Sequence, residues 1–495
     1  MGFFFQWNGS IGCRRLVIIV APYFQNQSCD PYTARDKRCL LGNYASYSIN
    51  ISSVKDIQTG IRFAQSRNIR LNLKNTGHDI LGKSTGKGAL SLWLHNFKGI
   101  QFEAKCNRSS SYTGPCARFG AGVILDEAYA AMHARGFALT GGTCPTVGIS
   151  GGFTSGGGHG VLASTHGLAA DNILEWEVVI ANGSHIYASP EVNSDLYWAL
   201  SGGGPGTFAV VVSVTMRVYP DEPVTAASFS LDNTTVGDDD RFWDAVTTFH
   251  SSLPPVVSAG GTVSFLLSPT TLTAFNIAIP NDNLTQASLM IKIIQSRLED
   301  QGFFPNISAT TFPGFLDMYN VELRSIATNT PAAQMAGGRL IPKGLISDTN
   351  ASKNVTLAFR EAVEAGFNIL CVAVDVSKRP PYPNSVLPAW RSSLMTCLIQ
   401  SSWNFEAEWQ TELARQEILN KRIMPRIEAA TPNAGTYLNE ASAQQHDWQT
   451  AFYGSNYKSL SAIKSKYDPL DVFYAATAVG SERWTSDNDG RLCRS

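Results

Sequence analysis

Charge of one sign is missing from this sequence: 39 Lys and Arg stand against 40 Asp and Glu, a formal charge of −1. A nucleic-acid partner or an anionic membrane surface would call for a basic excess, so a small-molecule substrate is expected instead. Long hydrophobic runs are missing too. Arg14 and Arg15 precede an apolar run from Leu16 to Phe24, but Pro22 breaks it and no clean small-residue cleavage site follows. That run is too short to span a bilayer, so no membrane span is expected and no clear signal peptide is read. No CxxC pair offers zinc-like spacing, and no metal site is expected. Internal repeats, low-complexity tracts and long linkers are absent as well.

The chain has 495 residues, beyond what one hydrophobic core usually serves, so two lobes are expected. Glycine is abundant, with 42 residues, many of them between Gly141 and Gly206. Ten Asn-X-Ser/Thr sequons occur, at Asn8, Asn26, Asn50, Asn107, Asn182, Asn233, Asn283, Asn306, Asn350 and Asn354. Together they predict a glycosylated chain of the secretory pathway. Among nine cysteines, the pairs Cys29 with Cys39 and Cys106 with Cys116 have spacings suited to local disulfides, which fits an oxidising compartment.

Ser53 opens an amphipathic helix with Val54, Ile57, Ile61 and Ala64 at helical spacing and Asp56 in its first turn. Ile69 to Lys74 alternates as a strand does, a glycine-punctuated loop follows over 76–88, and Leu90 to Leu94 reads as a second strand. A helix is predicted from Ile124 to Arg135, stopped by Gly136. Strands at Glu175–Ile180 and Phe208–Val218 bracket a helix at Ser194–Leu200. Beyond Tyr219 the glycine clusters end, and strand-like runs (Thr262–Leu267, Thr273–Ile279, Ile369–Val376) alternate with helices. A long helical segment is predicted from Trp403 to Ala430.

Gly77-His-Asp-Ile-Leu-Gly-Lys-Ser84 matches the phosphate-binding pattern G-x-x-x-x-G-K-[ST]. Such a loop must open a helix, so that free N–H groups face the anion, whereas this one runs on into a strand-like segment. A nucleotide triphosphatase is therefore excluded. No strict G-x-G-x-x-G follows a strand, so a Rossmann site is not supported either. Taken alone, His78 reads as an ordinary surface or core histidine, and Cys144 as a buried thiol or disulfide half. The neighbourhood of Cys144 is less ordinary. Gly151-Gly-Phe-Thr-Ser-Gly-Gly-Gly-His-Gly160 lets backbone N–H groups approach a ligand closely, and Gly202-Gly-Gly-Pro-Gly206 repeats the device.

Taken in order along the chain, these motifs resemble the FAD-linked oxidases of the vanillyl-alcohol-oxidase superfamily. The likeness is to the berberine-bridge-enzyme-like branch with its PCMH-type FAD-binding domain, and in texture to fungal isoamyl-alcohol-oxidase-like members. It is carried by Lys74-Asn-Thr-Gly-His-Asp79 with Ser84-Thr-Gly86, Cys144-Pro-Thr-Val-Gly148, Gly156-Gly-Gly-His-Gly160 and Gly167-Leu-Ala-Ala-Asp-Asn172. Asp195-Leu-Tyr-Trp-Ala-Leu-Ser-Gly-Gly-Gly204, Tyr437-Leu-Asn-Glu440, Tyr453-Gly-Ser-Asn-Tyr457 and Tyr467-Asp-Pro469 extend it to nearly the whole chain from Cys29 onward. Fungal relatives often carry a longer region ahead of Cys29, a departure that bears on secretion and on packing of the first lobe.

The resemblance implies a doubly tethered FAD, with His78 bonded to the 8α carbon of the isoalloxazine and Cys144 to C6. It implies that loop residues Asn75, Thr76, Gly77, Asp79, Ser84 and Thr85 hold the cofactor. Pro145, Thr146, Val147 and Gly148 join them, then Gly151, Gly152, Ser155, Gly156, Gly157, Gly158, His159 and Gly160. Asn456 and Tyr457 would approach the flavin from the C-terminal segment. Val147 matches a small gatekeeper position of members that react well with oxygen. Tyr437 is the first candidate for catalytic base; Glu440 either acts as base or orients Tyr437.

The expected architecture is two-lobed α+β. A PCMH-type FAD-binding domain over 40–220 is followed by a substrate domain over 221–430, with an antiparallel β-sheet backed by helices. A berberine-bridge-like segment over 431–480 returns to the FAD domain. The expected activity of this monomer is hydride transfer from a small alcohol, amine or secondary-metabolite intermediate to flavin, with O2 reduced to H2O2. A carbohydrate oxidase and a flavin-containing non-redox cyclase or isomerase stand as alternatives. A binding protein that has lost catalysis is disfavoured by the intact His78 and Cys144.

Overall fold

A computed structural model of the chain describes residues 34–107, 112–280, 284–328, 333–378, 380–487 and 491–495. Cys29, the apolar run Leu16 to Phe24 and the sequons at Asn8, Asn26 and Asn283 lie outside the described residues.

The first helix shows why local sequence decides local structure here. It spans Val54–Ser66; the Ser53 hydroxyl accepts from Asp56 N at 3.2 Å, and the Asp56 carboxylate accepts from Ser53 N at 2.9 Å. This reciprocal cap satisfies two otherwise orphaned donors and stabilises the helix start by about 1 kcal/mol. Its inner face buries Ile57, Gly60, Ile61 and Ala64. That face closes on a small parallel sheet in which Leu90–Trp93 lies between Tyr47–Asn50 and Leu71–Lys74. A second, antiparallel sheet runs in the order Ile100–Glu103, Cys116–Gly120, Ala209–Arg217, Ile173–Ile180, His185–Ala188. The expected Cys106–Cys116 disulfide is present beside it.

The other lobe is built on seven antiparallel strands, from Ser308–Phe312 at one edge through Val224–Asp232, Thr271–Pro280, Thr262–Leu267 and Asn368–Ala373. Ser393–Ser402 and Gln334–Pro342 complete it. Alternation sorts its side chains. Phe265, Ile277, Ile369 and Ile399 face the helices Asp239–Ser258, Leu284–Glu299 and Thr349–Glu364 in one large core. Ala226, Ala278, Ala336 and Leu398 face the other way and join the core of the first lobe. The two lobes are thus packed through one face of this sheet. Buried Cys371 and Cys397 stand opposite each other on neighbouring strands and are disulfide-bonded.

The long helix predicted from Trp403 begins later. Trp403 follows the strand Ser393–Ser402, and the helix starts at Trp409, widens over Leu419–Ile423 and ends with Met424–Ala430. Trp403 packs on Trp409 at 4.9 Å between ring centroids, with Asn404 N donating to Glu412 Oε2 at 2.9 Å, so a turn intervenes.

The C-terminal segment returns to the first lobe. Phe473 bridges to Leu71, and the buried Lys464 ammonium donates to Thr207 O and Phe473 O, both at 2.7 Å, while paired with Asp468. Among the described residues no helix is long and apolar enough to cross a membrane.

Candidate active site and cofactor cavity

A cavity opens between the glycine-rich loops of the first lobe and the large sheet of the second. Its first wall is the loop after Leu71–Lys74, which contributes Asn75, Thr76, Gly77, His78, Asp79 and Ser84. This stretch forms no helix before the strand at Leu90, as the rejected phosphate-loop reading requires. Thr85 does not line the cavity: its hydroxyl accepts from Ala45 N at 3.0 Å and ties down the neighbouring segment.

The same loop supplies a residue that sequence reasoning passed over. Lys83 lines the cavity, and its ammonium is buried with no hydrogen-bond partner among the described residues. Burial pushes the Lys83 pKa down, an effect opposed by Asp79, whose own pKa burial pushes up. The rejected G-K-S pattern was the signal available in the sequence.

The second wall is the stretch after Cys144. Val147, Gly148, Gly151, Gly152 and Ser155 line the cavity together with Phe153. A Cβ on Gly148 or Gly151 would fall 2.6 or 2.7 Å from Asn75 Nδ2, so glycine there lets the two walls interlock. Cys144, Pro145 and Thr146 stand behind this lining. Thr146 Oγ1 nevertheless lies 2.7 Å from His78 Nε2, which places the 144–146 turn against the His78 ring. Burial keeps the His78 ring neutral, with its pKa lowered to about 4, and pushes the Cys144 thiol up against the lowering effect of Thr146.

Gly156, Gly157, Gly158, His159 and Gly160 also lie behind the lining, and they position the third wall. Gly156 leaves room for Asn439, whose side-chain amide a Cβ there would meet. Gly157 and Gly158 take φ of 122° and 73°, which side-chain-bearing residues rarely adopt. Gly160 packs against the carbonyl of Gly141.

The third wall comes from the C-terminal segment. Tyr437, Asn439 and Glu440 line the cavity, opposite Leu398 and Gln334 of the large sheet. The Tyr437 hydroxyl accepts from Asn439 Nδ2 at 2.9 Å, and the Gly158 backbone amide adds to the lowering of its pKa. Those donors favour a phenolate, but burial and then the nearby Glu440 outweigh them, and the Tyr437 pKa is raised well above its ordinary value. Tyr437 is therefore a protonated donor at working pH. Glu440 Oε1 pairs with His159 Nε2 at 3.0 Å, and the His159 ring packs edge-on to Tyr437 at 5.2 Å. His159 thus belongs to this carboxylate rather than to the cavity lining. Asn439 was missed although it sits between the two catalytic candidates.

Asn456 and Tyr457 lie apart from this lining. Neither lines the cavity: Asn456 Nδ2 donates to Ser385 O at 3.1 Å and Val386 O at 3.2 Å, and Tyr457 OH donates to Glu482 at 2.5 Å. Both hold the return segment in place from its outer side.

Comparison with known proteins identifies the architecture. Residues 45–189 match the model of an FAD binding domain, and residues 436–480 match the berberine and berberine-like model. A bifunctional decalin synthase of Penicillium decumbens is 44% identical over 481 residues, covering 96% of this chain and 83% of that protein. The chain belongs to the VAO-type FAD-linked oxidoreductases. A VAO-type flavoprotein oxidase of Thermothelomyces thermophilus is 42% identical over 479 residues, with 96% of this chain and 83% of the relative covered. The crystal structure of a VAO-type flavoprotein from Myceliophthora thermophila C1 superposes with a TM-score of 0.93 at 41% identity, covering 96% of this chain and 87% of the other.

The cavity fits the FAD of a VAO-type enzyme on its own chemistry. The Lys83 ammonium and Asn75 Oδ1 have no partner among the described residues; the first suits an anionic diphosphate, and the second offers an acceptor in the same wall. Asn75 through Ser84 and Val147 through Ser155 would hold it, leaving Tyr437 and Glu440 for the substrate.

Proposed function

We propose that this FAD-linked oxidoreductase is an oxidase that binds its flavin covalently through His78 and Cys144 and oxidises a small alcohol, amine or secondary-metabolite intermediate. When bound, FAD accepts a hydride from the substrate carbon and passes the electrons to O2, giving H2O2. The reading is carried by one observation: Tyr437 and Glu440 open into the same cavity as His78. Tyr437, held protonated, donates to the substrate heteroatom and orients it. Glu440, accepting from His159, takes the hydroxyl or amine proton as the carbon is oxidised. Asn439 fixes the phenol by bonding it and the Gly152 carbonyl at once. Leu398, Leu94 and Val211 supply apolar wall that excludes water. The small side chain of Val147 in that wall supports access of oxygen.

The test is oxygen uptake and peroxide release over a panel of alcohols, amines and sugars. Peroxide formed in step with an oxidised alcohol or amine supports the proposal, and a preference for sugars would shift it to a carbohydrate oxidase.

A second reading has its own support in the 44% identity to a protein named as a bifunctional decalin synthase. On it, the same cavity would also fold a flexible substrate for ring closure. Product formed without oxygen consumption would favour this reading.

The secretory, glycosylated state is proposed as well. Asn50, Asn107, Asn182, Asn306, Asn350 and Asn354 are all exposed, and two disulfides stand among the described residues. A drop in apparent mass on enzymatic deglycosylation of the secreted chain is expected.

A further inference from the structure

His78 and Cys144, the two residues read as flavin tethers, are joined by one hydroxyl. Thr146 Oγ1 lies 2.7 Å from His78 Nε2 and 3.7 Å from Cys144 Sγ. The Thr146 backbone amide lies close enough to lower the thiol's pKa, against the larger raising effect of burial, and the Thr146 side chain is buried. His78 has no other hydrogen bond among the described residues, which leaves its Nδ1 uncommitted in a residue that lines the cavity.

We propose that Thr146 is a positioning residue for flavin attachment, setting the tautomer of His78 and the hydrogen bonding of Cys144 together. This rests on the covalent reading given above. A neutral imidazole has one donor and one acceptor nitrogen, and the bond made by one nitrogen decides which the other is. With Nε2–H donating to Thr146 Oγ1, the lone pair resides on Nδ1, and the Thr146 O–H is free to donate to Cys144 Sγ. That direction leaves a nucleophilic lone pair on Nδ1 at one end and a hydrogen bond donated to the Cys144 sulfur at the other. The burial that holds His78 neutral keeps its lone pair available.

The chemistry balances with dioxygen as oxidant. The Nδ1–C bond forms at the 8α methyl, one methyl C–H proton is lost, and the Nε2 proton leaves toward Thr146. The two electrons and two protons pass through the flavin to O2 as H2O2. The S–C6 bond forms likewise, with loss of the S–H and C6–H hydrogens and a second H2O2.

The experiment uses the full chain as wild type, T146S and T146V, made riboflavin-limited and then supplied with FAD in air. Flavin that stays with acid-denatured protein is followed over time and mapped by tryptic flavopeptides. Serine should match wild type, while valine should slow attachment at His78 about tenfold, the loss of roughly one hydrogen bond, and impair the bond at Cys144 too. Acid-released FAD from T146V would show that the cofactor still binds. Attachment to T146V at the wild-type rate overturns the proposal. An independent check needs no variant: the histidyl flavin released from wild type should be linked at Nδ1, and linkage at Nε2 would overturn the proposal even if T146V failed to fold. Wild-type flavin that is wholly acid-soluble would instead sink the covalent reading, and this inference with it, before any variant is compared.

Discussion

The phenol of Tyr437 and the carboxylate of Glu440 open into one cavity from a single tight turn, in which Glu440 N donates to Tyr437 O at 2.9 Å. In the proposed reaction the two groups would meet one substrate from fixed positions, the first as a donor and the second as a proton acceptor.

Replacing Glu440 with Gln removes the proton-accepting carboxylate and keeps the shape. Turnover should fall about 10²-fold or more, with substrate affinity little changed. Stopped-flow reduction of the flavin under anaerobic conditions measures this directly. An unchanged reduction rate would move the base role away from Glu440.

Tyr437→Phe removes a buried hydroxyl bonded by Asn439. Because Tyr437 is held protonated, the loss should be smaller than for E440Q, about tenfold to a hundredfold, and shared between kcat and KM. A pH–rate profile that loses its acidic limb in Y437F, and not in E440Q, would reverse the two assignments.

Arg391 joins the lobes by a two-pronged pair with Asp171, at 2.8 and 2.7 Å, and Asn384 donates to the same carboxylate at 2.7 Å. Asp171 is buried, so Arg391→Met leaves a carboxylate without its partner and should cost about 3 kcal/mol. Denaturant unfolding of R391M, D171N and the double variant should show the double costing less than the sum of the singles.

His250 is fully buried among Phe249, Phe265 and Phe359, with neither ring nitrogen bonded among the described residues. Burial lowers its pKa from 6.5 to about 3. The unfolded chain then takes up a proton below pH 6.5 that the folded chain refuses, so the stability present above that pH is lost as pH falls toward about 3. The H250F variant should lose less stability than wild type between pH about 7 and about 5, by melting in parallel buffers. Equal losses would show that the ring is not held neutral.

How much of this was legible in the sequence follows from how local each feature is. The helix capped at Ser53 and the strand Thr262–Leu267 were readable because caps and alternation act within a few residues. The helix predicted from Trp403 was not, because periodicity alone does not reveal a turn held by Asn404 and Glu412. Cys371 and Cys397 are 26 residues apart, and only the sheet register makes them neighbours. At the site, motif order singled out His78, Tyr437 and Glu440, which the fold brings to one cavity. It could not separate Asn439, which lines that cavity, from Asn456, which holds the outer side of the same segment. Lys83 was set aside with a phosphate-loop pattern whose geometry was wrong but whose lysine faces the cavity.

The most direct test of the account is where the flavin stays when the protein is denatured in acid. The wild-type pellet should be yellow, with flavopeptides containing His78 and Cys144. H78A and C144A should each retain the other bond, and the double variant should release all its FAD. A wild-type pellet left colourless, with the FAD in the supernatant, would contradict the covalent account.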